Sequence, residues 1–194
     1  GKLPSRAITA ISVVDEKPQS IIFAKGKEII AWDISKEEES LRMIGHKDGV
    51  IDVDVIKGEQ RALSASHDGT VWLWNLEDGS GLMEFVGHTD SVMSVTSTPN
   101  KRFVISGSKD KTLRVWNLDW GQETHTLRGH SDWVMDVAVT PDSKFAVSAS
   151  KDKTLRVWEI ERGREVECSD VQNSALWSVI VTPNGQRVIT GSLE

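Results

Sequence analysis

A tryptophan returns every 42 residues, at Trp32, Trp74, Trp116 and Trp158. The pairs Gly45-His46, Gly87-His88 and Gly129-His130 keep the same step. A fixed period in this range marks a chain built from repeated supersecondary units, each of which buries its apolar face only against its neighbours. The 194 residues hold about 4.6 such units. Function in a chain of this kind is expected on a surface made from equivalent positions of successive units, not in one pocket.

The unit after Gly87-His88 shows what is repeated. Ser91 to Val95 alternates and reads as a short strand. Thr98-Pro99-Asn100-Lys101 gives a turn. Phe103 to Ser108 is a second strand, Lys109-Asp110-Lys111 a tight turn, and Thr112 to Trp116 a third strand. A loop over Leu118 to Gln122 leads to a fourth strand, Glu123 to Arg128. Four short strands with turn signals about every ten residues predict an antiparallel meander. Ser64-Ala65-Ser66-His67-Asp68-Gly69-Thr70 and Ser148-Ala149-Ser150-Lys151-Asp152-Lys153-Thr154 repeat the middle of the unit. No helical period competes.

Gly-His, then Ser-x-Ser-x-Asp-x-Thr, then Trp-Asp closely resembles the WD40 repeat, over nearly the whole chain. The resemblance implies an all-β fold, a β-propeller of four-stranded antiparallel blades, with one repeat per blade. The approximate repeats are 1–45, 46–87, 88–129, 130–170 and a shorter 171–194, all in one propeller region over 1–194. It also implies a buried polar set in each blade: His46, Ser64, Asp68 and Trp74; His88, Ser106, Asp110 and Trp116; His130, Ser148, Asp152 and Trp158. A buried indole N–H and imidazole must each find a partner or cost about 1–3 kcal/mol per group. These sets look like hydrolase triads on paper. Their recurrence in successive blades argues for scaffold rather than catalysis, which needs an accessible pocket. No catalytic residue and no enzyme activity is expected.

Departures from the pattern are informative. Trp-Asp is intact only at Trp32-Asp33; the later pairs read Trp74-Asn75, Trp116-Asn117 and Trp158-Glu159. The first unit has Pro4 and Gly26 in the histidine and turn-aspartate slots, so it is expected to be less well tied. The last has Val171 and Gln172 where Gly-His would fall, and Glu194 in the slot of Asp68. The propeller is therefore expected to be incomplete, a fragment of a longer one, its open edge free for self-association or for other domains of a longer chain. The phrasing Val139-Thr140-Pro141-Asp142 with Ala146 to Ser150 resembles WD40 arrays that follow nucleotide-switch ATPase domains of the STAND class, including apoptosome-like proteins, which implies a ligand-sensing regulatory region.

The family's partners commonly dock on the face carrying the loops before the first strand and between the second and third. Three positions per unit map there: Gly49, Ser91, Trp133 and Ala175; Ile51, Met93, Met135 and Trp177; and His67, Lys109 and Lys151. Trp133, Met93, Met135, Trp177, Lys109, Lys151 and His67 are the candidate partner-binding residues, an apolar centre edged by basic groups. The resemblance implies a protein or peptide partner, and the lysines favour an acidic or phosphorylated one. Trp120 is expected to be exposed, His125 to sit on a solvated face, Cys168 to be a small buried filler, and the run Lys36 to Glu39 to be a solvated loop.

Other classes are disfavoured. A net charge of −6 does not suit a nucleic-acid partner. No apolar run reaches the 18 to 20 or so residues of a membrane span. One cysteine precludes an internal disulfide and fits a reducing cytoplasmic setting. The histidines lack short metal-type spacing, and there is no phosphate loop or dinucleotide fingerprint, so no cofactor is expected.

Overall fold

A computed structural model describes residues 8–14, 20–169 and 171–192. Among these, every regular element is a strand. The first sheet is β1 (Ile11–Val13), β2 (Ser20–Lys25), β3 (Glu28–Asp33) and β4 (Glu38–Ile44). The second is β5 (Val50–Val55), β6 (Arg61–Ser66), β7 (Thr70–Asn75) and β8 (Gly81–Val86). The third is β9 (Val92–Ser97), β10 (Phe103–Ser108), β11 (Thr112–Asn117) and β12 (Glu123–Arg128). The fourth is β13 (Val134–Val139), β14 (Phe145–Ser150), β15 (Leu155–Glu159) and β16 (Arg164–Cys168). β17 (Leu176–Val181) and β18 (Val188–Ser192) pair as a two-stranded sheet. All pairings are antiparallel between consecutive strands. The sheets do not close into a barrel.

The strands β1, β5, β9, β13 and β17 lie side by side, so the sheets stack as blades around them. Each blade buries its faces against the blades before and after it. The apolar residues accordingly form four clusters, each drawn from two consecutive blades. Ile22, Ala24 and Met43 meet Val53, Ala62 and Trp74; Leu63, Leu73 and Phe85 meet Val95, Val104 and Trp116. Ile105, Val115 and Leu127 meet Val137, Ala146 and Trp158. The middle strands are therefore buried on both sides: β10 is covered from end to end. The outermost strands have one covered face at most, and every residue of β16 is exposed.

Two local irregularities recur. The inner strands β5, β9, β13 and β17 each carry a one-residue bulge, at Ile51, Met93, Met135 and Trp177, where two residues face one on the next strand. At the rim, the turn glycine between third and fourth strands packs on the outermost strand of the preceding blade: Gly79 on Leu41, Gly121 on Met83, Gly163 on His125.

Four local expectations change. Glu38 and Glu39 belong to β4, so the loop after β3 is shorter than the charge run implied. The strand expected from Ser91 starts at Val92, and Ser91 stays in the loop. Cys168 is exposed rather than a buried filler, because β16 has no blade over it. His125 is half-buried rather than solvated: its ring rests on Gly163, and its Nε2 lies 3.1 Å from the Glu161 carbonyl. Trp120 is 76% exposed in the β11–β12 turn. Pro4 and Glu194 lie outside the described residues.

Candidate functional site

Three blades carry one polar ladder. In the second, the Trp74 indole N–H donates to Ser64 Oγ at 2.8 Å, Ser64 Oγ lies 2.7 Å from His46 Nε2, and His46 Nδ1 lies 2.9 Å from Asp68 Oδ2. The third repeats it through Trp116, Ser106, His88 and Asp110 at 2.9, 2.8 and 2.7 Å. The fourth does so through Trp158, Ser148, His130 and Asp152 at 2.9, 2.7 and 2.8 Å. Donor counting orders the protons. The indole can only donate and the carboxylate only accept, so the serine hydroxyl gives its one proton to Nε2 and Nδ1–H donates to the aspartate. That order requires a neutral histidine. Burial lowers the His46 and His130 pKa values, opposed by their aspartates. Burial would raise Asp68 and Asp152, but donors from Thr70, Lys47 and His46, and from Thr154, Ser131 and His130, outweigh it and hold both at about 2. Asp110 is likewise held low against burial, by His88, Thr112 and Thr89. Ser64, Ser106 and Ser148 are fully buried, so no substrate reaches these hydroxyls.

The ladder shapes the loops above it. Each turn aspartate also accepts the N–H that follows the histidine, from Lys47, Thr89 or Ser131. This ties the loop before the inner strand to the turn between second and third strands. His67 N–H then donates to Gly49 O, Lys109 N–H to Ser91 O, and Lys151 N–H to Trp133 O, each at 2.9 Å. The basic position of each turn is thereby fixed beside the residue preceding the inner strand. Side chains reach on to the next blade: His67 Nδ1 lies 3.2 Å from Ser91 Oγ. Lys109 Nζ lies 4.4 Å from the centre of the Trp133 ring in the next blade, and Lys151, in the same blade as Trp133, places its Nζ 4.2 Å from it.

Thus Trp133, Lys109 and Lys151 come together, with Trp133 half-buried. His67 is exposed one blade earlier, Met93 is half-buried, and Trp177 is 42% exposed at the bulge of β17. Met135 is only 7% exposed, so it belongs to the packed wall beneath the face rather than to the face. The bulge frees this position from strand alternation, and its exposure runs from 7% at Met135 to 42% at Trp177.

A second polar row lies outside these candidates. Asp52 Oδ2 accepts Val95 N–H at 2.9 Å, Asp54 Oδ2 accepts Ser97 N–H at 3.1 Å, and Asp136 Oδ2 accepts Val179 N–H at 2.7 Å. Ser94 Oγ donates to Asp136 Oδ1 at 2.8 Å. Each bond links one inner strand to the next. Burial raises Asp52 to about 7, with the Asp136 charge adding to it, and raises Asp54 to about 6. Burial also raises Asp136. The sequence does carry a signal: positions 52, 94, 136 and 178, at the 42-residue step, read Asp, Ser, Asp, Ser. Among the described residues, no group of three or more His, Cys, Asp or Glu is placed to hold a metal ion.

A blade of four antiparallel strands, repeated at 42 residues and braced by a Trp–Ser–His–Asp ladder, defines a β-propeller repeat protein. The WD40 family model (WD domain, G-beta repeat) matches residues 38–75, 79–117 and 121–159, together more than half of the chain, and the chain belongs to that family. No curated protein matches it significantly.

Proposed function

We propose that this propeller is a non-catalytic interaction platform that docks a protein or peptide on the face bearing Trp133. WD40 repeats generally mediate protein–protein interaction, and that is the ground for the class. The observation that carries the site is Trp133 itself. Its slot holds Gly49, Ser91 and Ala175 in other blades, so the indole is not required by the repeat. It stays half-buried, held by backbone and by two lysines. A rigid aromatic with low ordering cost is the kind of residue that dominates binding energy. The basic edge of His67, Lys109 and Lys151 favours an acidic partner, and the net charge of −6 disfavours nucleic acid. The exposed thiol of Cys168 and the lack of any disulfide support a cytoplasmic setting.

The test is a photo-crosslinking amino acid placed at Ser131, exposed in the same loop as Trp133, with one at Asp78 on the outer rim as control. A partner captured from position 131 alone supports the reading. Trp133→Ala should weaken that capture while the melting temperature hardly moves. A variant that melts far lower would make Trp133 part of the core and remove it from the face.

A further inference from the structure

The two lysines beside Trp133 raise a question of charge. Both ammoniums lie over one ring, so they are no farther apart than the sum of their two distances to its centre. Neither forms an ion pair among the described residues. The acidic side chains of the same loops bond to backbone and to other side chains, not to either lysine. Asp90 and Asp132 each cap the N–H of the next residue, Ser91 and Trp133. Asp110 and Asp152 hold the histidine, the loop N–H groups and the Thr112 and Thr154 hydroxyls. Two cations thus share one indole, and neither has an ion-pair partner among the described residues.

We propose that Lys109, Trp133 and Lys151 form a receptor for a phosphorylated side chain of the partner, the phosphate bridging the two ammoniums. This rests on the docking face proposed above and narrows its occupant. The argument is one of charge and donor matching. A phosphomonoester carries about −1.5 to −2 charges and three strong acceptor oxygens, against one charge and two oxygens on a carboxylate. Two ammoniums present two charges and six N–H donors. The indole keeps both long side chains near their bound positions, which lowers the ordering cost of binding. The half-exposed indole remains for contact with the residues flanking the phosphate.

Three pools of peptides test this, identical and randomised except for one central position carrying phosphoserine, serine or glutamate. The protein should retain the phosphoserine pool about tenfold or more over both others. Lys109→Met and Lys151→Met should each cost about tenfold in affinity for a retained phosphopeptide. These changes keep side-chain bulk, so the melting temperature should stay near that of the wild type. If the phosphoserine and glutamate pools bind equally and Trp133→Ala weakens both, the phosphate receptor is overturned and the docking face stands. If the lysine variants bind the phosphopeptide as well as wild type does, the receptor is overturned too. Binding that also ignores Trp133→Ala removes the face itself. Retention of no pool counts against the receptor.

Discussion

At the scale of single residues, the ladder explains why a serine outranks its size. Ser106 accepts from Trp116 and donates to His88, so its removal strands an indole N–H and an imidazole nitrogen together. Ser106→Ala should therefore destabilise by about 2–6 kcal/mol, since each of the two stranded buried groups costs about 1–3. Urea unfolding with an unchanged slope checks it, and a loss below that of an ordinary surface change would mean that water fills the gap. The turn one step on gives the opposite sign. Gly69, Lys111 and Lys153 share a slot with φ of 84°, 72° and 72°. Only glycine adopts that conformation freely, so Lys111→Gly should gain up to about 1 kcal/mol. Thermal melting of the two proteins decides it. The period brought Trp, Ser, His and Asp into register before any coordinates; the proton order needed donor counting on real distances. Asp52 and Asp136 show the converse. Their spacing is visible in the sequence, but the N–H groups that they accept belong to the next blade, 43 residues on.

Strands and blades show what the repeat can exchange. In the third and fourth blades, Arg114 pairs with Glu123 and Arg156 with Glu165 across the third and fourth strands. The second blade has Trp72 and Gly81 in those two slots. Trp72 stacks on Trp74 with ring centres 5.0 Å apart, and its edge fills the space that a Gly81 side chain would take, a Cβ there lying 2.5 Å from the ring. An aromatic stack over a glycine stands where the other two blades have an ion pair. Gly81→Glu should thus destabilise by about 1–3 kcal/mol through overpacking, and the double change Trp72→Arg with Gly81→Glu should restore most of the loss. A double-mutant cycle in urea measures the coupling, and additive losses would refute the exchange. This compensation is legible in the sequence only as a pair of departures nine residues apart. The exposure of Cys168 and the burial of Met135 were hidden for a different reason. Strand alternation assigns a residue to one face or the other; it does not say whether a blade covers that face, nor where a bulge breaks the count.

For the whole molecule, the seams between blades set the pH response. Asp52 has its folded pKa raised to about 7, above the ordinary 3.8 of an unfolded chain. Its protonation therefore favours the folded state: the contribution is complete below about 3.8 and is lost as pH rises through about 7. His46 and His130 act the other way. Burial lowers their folded values below 6.5, so their contribution is present above 6.5 and is lost as pH falls. Asp52→Asn isolates the first effect. The unfolding free energy of wild type minus that of the variant should grow on going from about pH 8 to about pH 5. A difference that shrinks over that range would mean that Asp52 is stabilised as a carboxylate.

The family repeat and the blade are out of step by one strand. The matched segments end at Asn75, Asn117 and Glu159, the last residues of β7, β11 and β15, and each starts at or just before the outermost strand of the preceding blade. One genetic unit thus supplies the rim of one blade and the three inner strands of the next. A duplication that copies 42 residues need not start at any particular point. Wherever the copy begins, every strand keeps its neighbour, every turn glycine finds an outer strand to rest on, and the array lengthens by one whole blade. Such a gene can grow or shrink through unequal crossing-over without a frame of architecture to respect, which leaves the face residues free to diverge while the count changes beneath them.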